Sequence, residues 1–391
     1  MGRIRRQHVF LRAFPWGIPM AGMTTGVLKR INKGQYALRT AERSYRRGPV
    51  ETMVHPNLVN RLGLVEGATV TGQTEKKNGK PRLTSVESVG GLEPEAFRRR
   101  KRFADLVAID PHERFDLGAS GQESMRIVDL IAPIGKGTRQ LIVSPPKAGK
   151  TILLEQTVQA IRHCSPESRI IVLLLDERPE EVTHFRRATE GAEVVASTSD
   201  HSADEHVELA ELVLSHVQIE LECGREIVLM IDSLTRLGRA FNNKTRRRGA
   251  PRGHTMSGGL EAGILEVPRR LFGLARNIEN GGSVTIIATC LIDTGSRMDQ
   301  LIFEEFKGTG NSELVLDRSL AEARIFPAVD IPASGTRKEA KLYSDGDARG
   351  LTTLRRVLSS YNTRGATESL FKLLKKYPTN AEFLDAMSRG G

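Results

Sequence analysis

Residues 144–151 read SPPKAGKT and have the residue types of a phosphate-binding loop. Such loops close with Gly-Lys-Ser/Thr after four variable positions, and Gly149, Lys150 and Thr151 meet that requirement, while Ser144 stands at the opening position. The glycine permits a close turn, the lysine reaches the β- and γ-phosphates, and the hydroxyl is offered to Mg²⁺. The stretch therefore predicts a nucleotide site. Its predicted contacts are Pro146, Lys147, Ala148, Gly149, Lys150, Thr151 and Ile152.

Two carboxylates could complete such a site. Asp232 follows the apolar run EIVLMI, and a carboxylate at the end of a buried strand is well placed to hold the Mg²⁺ shell together with Thr151. Glu177 follows the run RIIVLLLD and is the candidate to polarise the attacking water. The alternative for Asp176 or Glu177 is to cap a helix that starts near Pro179.

The elements that position these residues are visible as apolar patterns. The runs RQLIVS, RIIVLLL, EIVLMI and VTIIAT are continuous rather than alternating, as in strands that are buried on both faces of a parallel sheet. Apolar residues at helical spacing, namely Val207, Ala210, Leu214, Val217 and Leu221, predict a helix packed on that sheet. The tail segments TESLFKLLKKY and NAEFLDAMS predict two short amphipathic helices. The pattern favours an α/β domain of the P-loop NTPase type.

The first quarter of the chain has a different pattern. Residues 23–90 contain short alternating segments separated by turns such as EKKNGKP, which predicts a small β-barrel. The basic run RRRKR follows, in a region without clear periodicity. We therefore expect an N-terminal extension over residues 1–22, a barrel over 23–90, a linker over 91–124 and the α/β domain with its C-terminal helices over 125–391.

Composition narrows the class of protein. The chain of 391 residues carries a formal charge of +11, which favours a polyanionic partner, nucleic acid before a membrane surface. Its three cysteines, Cys164, Cys223 and Cys290, have no paired spacing and predict neither a disulfide framework nor a zinc site. The N-terminal apolar stretch is short and broken by Arg12, and no run reaches the roughly 18 residues of a membrane span. These features predict a cytoplasmic protein without a membrane partner.

A series of longer motifs makes the expectation specific. LLLDERPEEVT, EVVAST, IDSLTRLGRAFN, FGLARNIENGGSVTIIATCLIDTGSRMDQLIFEEFKGTGNSEL and SGTRKE follow the phosphate loop in this order. Together they resemble the bacterial transcription termination factor Rho family, hexameric RNA-dependent ATPases that translocate along RNA and unwind it. The resemblance is dense over residues 125–345 and looser back to residue 23. It implies a RecA-like P-loop ATPase domain preceded by an OB-fold or cold-shock-like barrel.

The resemblance implies roles for individual residues. Lys147, Lys150 and Thr151 match the family's phosphate-loop residues, Asp232 its magnesium-associated aspartate, and Glu177 its catalytic glutamate. The remaining catalytic matches are Arg178 beside that glutamate, Arg337 as the arginine finger supplied by a neighbouring subunit, and Arg324 as a second interfacial arginine. Phe326 matches the aromatic that stacks on adenine, and core packing is its alternative role. ATP and Mg²⁺ are the implied cofactors.

RNA contacts are also implied by the resemblance. The segment HTMSGGLEAG matches the central RNA-gripping loop, and EEFKGTGN matches the second central loop. The residues carried over are His254, Thr255, Met256, Ser257, Gly258, Gly259, Lys307 and Gly308. Just upstream, residues 244–252 are unusually basic and either reinforce phosphate contacts or form a solvated surface loop.

The barrel departs from the family pattern at the positions expected to stack on bases. GQYALR replaces a Gly-Phe-Gly-Phe segment, so that Gln35 and Ala37 stand where phenylalanines would be. Tyr36 is displaced by one position, which turns it to the opposite face of a strand. Arg39 is retained among many basic neighbours. We expect RNA binding here to depend on backbone electrostatics more than on stacking, and hence on salt more than on pyrimidines.

The sequence thus predicts an ATP-dependent homo-hexameric translocase on single-stranded RNA that terminates transcription, with RNA polymerase and elongation factors as further partners. A diverged paralogue with weak primary RNA binding is one alternative. Another RecA-like ATPase, such as a rotary ATP-synthase subunit, is a second alternative. A third is an RNA-binding module whose ATP site is only structural, against which the full set of acids, lysines and arginines argues.

Overall fold

A computed structural model describes residues 22–77, 79–247, 260 and 263–389. It contains two β-sheets, one for the N-terminal part of the chain and one for the remainder. Three parts of the chain lie outside the described residues: the first 21 residues, Arg248 and Arg252 of the basic stretch, and the predicted RNA-binding loop His254–Gly259.

The N-terminal sheet is a small closed barrel, as predicted. Its elements are β1 (Met23–Asn32), β2 (Gln35–Arg39), β3 (Thr52–Val54), α1 (Pro56–Leu62), β4 (Thr69–Lys77), β5 (Lys80–Leu83) and β6 (Ser88–Val89). The strand order is β1-β2-β3-β5-β4-β6, and an additional antiparallel pairing of β1 with β4 closes the barrel. The closed circuit has five strands, with β6 paired to β4 outside it, and a closed barrel of this size is consistent with an OB-fold.

The barrel interior is built by alternate residues of its strands. Leu28, Leu38, Val54 and Val70 are buried together, and Phe97 of the following helix covers them. Tyr36 also packs on this cluster, whereas Ala37 faces the other way, as the period of a strand requires. The alternation that predicted the strands is therefore the alternation that fills the core.

The segment after the barrel packs against the rest of the chain and contributes a strand to the second sheet. It contains α2 (Pro94–Arg99), β7 (Ala108–Ile109) and α3 (Glu123–Ile131). Arg100 of the basic run is buried and pairs with Glu222 at 2.9 Å, so this part of the run stabilises the fold. The predicted boundaries at residues 91 and 124 stay predictions, and β7 pairs with a strand of the large sheet.

The large sheet is the parallel sheet that the continuous apolar runs predict. Its further strands are β8 (Arg139–Ser144), β9 (Arg169–Glu177), β10 (Glu193–Thr198), β11 (Glu226–Asp232), β12 (Arg276–Ile278), β13 (Ser283–Leu291), β14 (Ser312–Val315) and β15 (Gly335–Thr336). The order is β10-β9-β11-β13-β8-β14-β15, parallel except at β15, while β12 pairs antiparallel with β13. Residues 170–175 and 227–232 are all buried, because helices cover both faces of the sheet.

Helices connect and cover these strands. They are α4 (Lys150–Cys164), α5 (Pro179–Ala188), α6 (Ala203–Glu222), α7 (Leu234–Arg247), α8 (Glu266–Phe272), α9 (Arg297–Lys307), α10 (Arg318–Glu322), α11 (Asp345–Leu358), α12 (Thr363–Leu374) and α13 (Asn380–Arg389). The helix predicted from Val207 to Leu221 is α6, and its five predicted apolar residues lie in the core. Helices α12 and α13 confirm the two tail predictions, whereas α11 had not been predicted. In the part of the chain described here, no helix is long and apolar enough to cross a membrane.

Helix α6 also connects the barrel to the large sheet through buried polar contacts. Thr69 of the barrel donates a hydrogen bond of 2.6 Å to the Glu220 carboxylate, which pairs with Arg169 at 3.0 Å. Burial alone would raise the pKa of Glu220, but the positive charge of Arg169 outweighs it and the net shift is downward. His216 donates to the carbonyl of Gly67 at 2.7 Å, where a side chain on Gly67 would collide with the α6 backbone. These buried contacts join the two sheets into one unit.

Replacing Glu220 by Gln tests this junction. The variant removes a charge that is 4% exposed and leaves Arg169 paired with Glu193. We expect a loss of about 3 kcal/mol in the free energy of unfolding, the lower end for breaking a buried pair. Urea denaturation followed by circular dichroism measures it. Glu211→Gln is the control. Glu211 lies on the same helix as Glu220, but its side chain is 47% exposed and is 3.9 Å from Lys244 of α7. Equal losses in the two variants would contradict the buried role of Glu220.

Candidate active site

The phosphate loop lies between β8 and α4, as its sequence predicts. Strand β8 ends at Ser144 and α4 begins at Lys150, so the loop leads directly into a helix N-terminus. Lys147 and Gly149 have positive φ angles of 66° and 86°, which turn the backbone tightly around the loop. Backbone N–H groups at a helix N-terminus together with a left-handed turn form a site for phosphate oxygens.

Lys150 and Asp232 meet at the carboxyl edge of the sheet. Strand β13 separates β8 from β11, and the ends of these parallel strands bring Lys150 Nζ within 2.5 Å of Asp232 Oδ1. Thr289, at the end of β13, donates a further hydrogen bond of 2.8 Å to the same carboxylate. Asp232 is buried and held on two sides, so its position is fixed before a ligand binds.

Glu177 lies beside this pair at the end of β9. The side chain is buried with 6% exposed, and Oε1 accepts a hydrogen bond from Arg236 at 3.2 Å. Burial raises the pKa of Glu177 from 4.5 to about 8, and its acidic neighbours Glu181 and Asp232 act in the same direction. The N-cap residue of α5 is Arg178, whose side chain makes no capping hydrogen bond, so Glu177 does not have the capping role that was its alternative. A desolvated carboxylate with a raised pKa is a suitable proton acceptor near neutral pH.

Arg236 is a site residue that the sequence analysis missed. It lies in the first turn of α7, four residues after Asp232, and its guanidinium binds both the Asp176 carbonyl and the Glu177 carboxylate. His206 of α6 approaches Asp176 from the other side at 3.9 Å. These groups line a polar cleft of about 630 Å³ next to Glu177. The available signal was an arginine four residues after Asp232, at the start of the helix that follows β11.

Phe326 lies over the phosphate loop. Its ring is 46% exposed, and a Cβ added to Gly149 would come within 3.3 Å of it. Core packing, the alternative role, is therefore wrong for this side chain. An exposed ring above a nucleotide loop is free to stack on a base. Arg324, two residues earlier, is also exposed.

Arg337 lies at the opposite end of the sheet from its own phosphate loop. Strand β15 ends at Thr336, which is paired with Ser312 at the start of β14, and Arg337 N–H donates to the Asn311 carbonyl. This level of the sheet corresponds to Arg139 at the start of β8, whereas the loop follows Ser144. Five residues of strand, roughly 17 Å, separate the two levels. The structure therefore brings Arg178 to the side of Glu177 but keeps Arg337 away from the loop of its own chain.

Comparison with known proteins agrees with this arrangement. Residues 124–336 match the model of the ATP synthase alpha/beta family, nucleotide-binding domain. The transcription termination factor Rho of Cereibacter sphaeroides is 46% identical over 370 residues, which are 93% of this chain and 86% of the relative. The Rho of Aquifex aeolicus is likewise 46% identical over 370 residues, covering 93% of this chain and 84% of the relative.

The chain belongs to the transcription termination factor Rho family. The Rho of Streptomyces lividans is 47% identical over 375 residues, which are 94% of this chain and 51% of that longer protein. The ATP-hydrolysing fold is thus shared with a wider group, and the rotary-subunit alternative is not favoured, because identity at this level extends through the barrel as well.

Solved structures show the fold alone. An ATPase from the type III secretion system of pathogenic bacteria superposes with a TM-score of 0.62 at 22% identity, covering 81% of this chain and 94% of that one. The ATPase EscN of enteropathogenic E. coli, in complex with its central stalk EscO, gives 0.60 at 22% identity, covering 81% and 78%.

The predicted RNA-binding residues of this Rho-family chain are partly described. Lys307 and Gly308 are exposed at the end of α9, where Lys307 lies 5.5 Å from the ring of Phe303. Residues Leu260 and Gly263, which flank the central loop, line a cavity of about 210 Å³ together with Leu301 and Glu305 of α9. Leu260 and Gly263 therefore lie beside α9, the helix that ends at Lys307. Residues His254, Thr255, Met256, Ser257, Gly258 and Gly259 themselves lie outside the described residues.

Arg39 has a different setting from an open RNA contact. Its side chain is only 11% exposed, donates to Glu51 at 3.2 Å and to the Tyr45 carbonyl at 3.0 Å, and lies 3.8 Å from Glu208 of α6. Ala37 on the same face is fully buried. This face of the barrel is occupied by contacts within the chain, so an RNA strand would have to displace ion pairs to reach Arg39.

The raised pKa of Glu177 predicts how stability changes with pH. Since the folded protein holds the proton more tightly than the unfolded chain, ionising Glu177 costs stability increasingly from pH 4.5 up to about pH 8 and by a constant amount above it. Glu177→Gln should therefore gain on the nucleotide-free wild type as pH rises, by roughly 1.4 kcal/mol per pH unit at most.

Thermal unfolding at pH 5, 6, 7 and 8 measures this difference. Glu180→Gln, an exposed acid in the first turn of α5, is the control and should show no such trend. A difference between Glu177→Gln and wild type that stays constant with pH would contradict the raised pKa.

Proposed function

We propose that the chain is an ATP-driven RNA translocase that terminates transcription, working as a ring of six copies in the cytoplasm. The observation that carries this proposal is the meeting of Lys150, Asp232 and Glu177 at one edge of a RecA-like sheet in a Rho-family chain. RNA polymerase and elongation factors are the partners that a terminator must reach. The barrel and the central loops are the two places where RNA would be held.

Each residue at the edge of the sheet has a distinct task in ATP hydrolysis. The phosphate loop binds the triphosphate through its N–H groups and Lys150, which leaves Asp232 when phosphate arrives. Glu177 accepts the proton of the attacking water, and Arg236 holds its carboxylate in place. The oxygen donors Thr151 and Asp232 suit Mg²⁺, which neutralises charge on the phosphates when bound. Phe326 stacks on the adenine, and Arg178 senses the γ-phosphate.

The arginine finger comes from the next subunit. Phosphoryl transfer spreads negative charge over the transferred group, and a guanidinium placed there is worth about 10³–10⁵ in rate. Arg337 is too far from its own loop and is exposed, which supports a role at the loop of a neighbour. Arg324 lies two residues before Phe326, near the phosphate loop. There it would face a second neighbouring subunit, on the side of the chain opposite to Arg337. Hydrolysis coupled in this way to subunit contacts can move RNA through the ring.

On the barrel, RNA would bind to exposed cations rather than stack on aromatic side chains. Arg39 and Ala37 are enclosed, whereas the β4–β5 ribbon presents the exposed cations Lys76, Lys77, Lys80 and Arg82, which form no ion pair among the described residues. Lys77 and Lys80 are directly opposite in the register, and like charges at that spacing repel unless an anion lies between them. A phosphate backbone supplies such an anion.

The first test is ATP hydrolysis with and without RNA. Purified chain should release phosphate at a rate that rises several-fold with single-stranded RNA, and Lys150→Ala should abolish release because the charge facing the β- and γ-phosphates is lost. Lys338→Ala is the control, since Lys338 is exposed and paired with Asp110 on the opposite end of the sheet. A Lys150→Ala protein that still turns over ATP with RNA would refute the phosphate-loop assignment, and hydrolysis indifferent to RNA would refute the translocase.

The second test concerns the barrel. RNA affinity of the full chain should fall steeply with salt and differ little between poly(C) and poly(A). The double change Lys77→Ala with Lys80→Ala should reduce the slope of log affinity against log salt by about 1.4, two contacts at about 0.7 each for a single strand. Arg98→Ala, an exposed cation that has Glu95 as partner, should leave the slope unchanged. A strong preference for cytosine would contradict the electrostatic mode.

A further inference from the structure

Three arginines lie in a row across the end of the large sheet that is remote from the phosphate loop. Arg276 begins β12, Arg139 begins β8, and Arg337 follows β15. Strand β11 pairs with one side of β13, so β12 and β8 follow one another along its other side, where Arg276 is opposite Val284 and Arg139 is opposite Ile286. Strand β14 lies between β8 and β15, which places Arg139 and Arg337 at one level. We call Arg276, Arg139 and Arg337 the arginine row.

The backbone holds two members of this row at fixed spacing. Asn311 accepts a hydrogen bond from Arg337 N–H through its carbonyl and one from Arg139 N–H through its side-chain oxygen, at 2.8 Å each. Asn311 N–H also donates to the Arg139 carbonyl at 3.1 Å. One residue therefore clamps the two arginines on either side of β14, so that their side chains leave the sheet next to each other.

The arginine row has no anion of its own. Within the part of the chain that the structure describes, none of its three guanidinium groups lies within 4.0 Å of a carboxylate, and Arg139 Nε is buried without a hydrogen-bond partner. Arg276 is stacked on Phe103 at 3.9 Å and donates only to the Gly273 carbonyl. Burial lowers the pKa of Arg139, and the charge of Arg337 lowers it further; burial and then Arg139 act likewise on Arg276.

Three lysines at this end of the sheet are paired with carboxylates, unlike the arginine row. Lys338, next to Arg337, binds Asp110 at 2.9 Å, and Lys341 binds the same carboxylate. Lys136, three residues before Arg139, has Glu113 at 2.5 Å and Glu226 at 2.9 Å. A half-buried charge without a partner is costly, so the row calls for a multivalent anion from outside the chain.

We propose that the whole arginine row, and not Arg337 alone, acts on the triphosphate bound to the adjacent subunit. The inference rests on the proposed function, because it takes Arg337 as the group that reaches the neighbouring nucleotide. Arg139 is a positioning residue: its fixed charge repels the Arg337 guanidinium and keeps it extended away from its own sheet. Arg139 and Arg276 together add positive potential on the side from which the neighbour's phosphates approach.

Mixed rings test this placement. Arg139→Gln keeps its own phosphate loop but loses the centre of the row, whereas Lys150→Ala keeps the row but has no working loop. Each alone should be at least about tenfold slower than wild type in kcat. Mixed before assembly, they should hydrolyse ATP faster than the sum of the two alone, since some boundaries then join an intact loop to an intact row. Arg139→Lys, which keeps the charge, should recover part of the rate in unmixed rings.

Binding and stability measurements distinguish this from a structural role. Arg139→Gln should bind a fluorescent ATP analogue as tightly as wild type and should melt at the same temperature or higher, because the side chain it removes has no partner to lose. Lys338→Gln, with its paired cation, is the matched control and should hydrolyse ATP as wild type does.

Three results would overturn the inference. If Arg337→Ala is rescued in mixed rings by Lys150→Ala but Arg139→Gln is not, the row acts within its own chain and the proposed function stands. If Arg139→Gln fails to assemble even without nucleotide while Lys338→Gln assembles, the missing anion is a carboxylate of the neighbour. If Arg139→Gln weakens ATP binding to its own loop, the row supports β8 instead. Wild-type protein without RNA-dependent hydrolysis would instead refute the proposed function itself.

Discussion

The separation of the two ends of one parallel sheet governs the rest of this molecule. Strands that run in the same direction place every carboxyl end at one edge and every amino end at the other. The phosphate loop, Asp232 and Glu177 are at the first edge, and Arg337 with Arg139 is at the second. Roughly 17 Å of strand lies between them, further than an arginine side chain extends. Under the proposed function, a single chain therefore holds two halves of a phosphoryl-transfer site that cannot meet each other.

Unbalanced charge at both edges follows from that separation. At the loop edge Glu177 is desolvated, and its Oε2 has no hydrogen-bond partner within the described residues. At the far edge, Arg139 Nε is buried and has no hydrogen-bond partner among the described residues. Each edge is costly for an isolated chain, and the proposed function would stabilise each one, because a nucleotide with its cation and a second copy would bring the opposite charge. The rigid joining of barrel and ATPase sheet through α6 makes such an assembly respond as whole subunits rather than as loose domains.

Local pattern sufficed to predict the elements and much of the loop edge. Continuous apolar runs predicted the buried parallel strands, and the phosphate loop was placed correctly because its flanking strand and helix are short-range features. The position of Glu177 at the loop edge of the sheet was predictable from the apolar strand that ends there. By contrast, the short strands β12, β14 and β15 were missed because two to four residues give no clear period.

What sequence could not supply depends on pairings between distant segments. Arg236 reaches Glu177 only because β9 and β11 are adjacent, and Arg139 lies beside Arg337 only because β14 runs between them. The enclosure of Arg39 depends on Glu208, which is 169 positions later in the chain. Phe326 was assigned by resemblance, and only its exposed position over Gly149 excluded packing in the core.

The mass of the assembly that hydrolyses ATP tests the central claim most directly. Native mass spectrometry of the purified chain with a non-hydrolysable ATP analogue and a short single-stranded RNA should show a closed assembly of six copies, the state in which every loop faces the far edge of another sheet. Wild-type protein with ATP and the same RNA should lose its ATPase activity when dilution dissociates the assembly. A protein that remains monomeric with both ligands present and still hydrolyses ATP at its full RNA-stimulated rate would contradict the account.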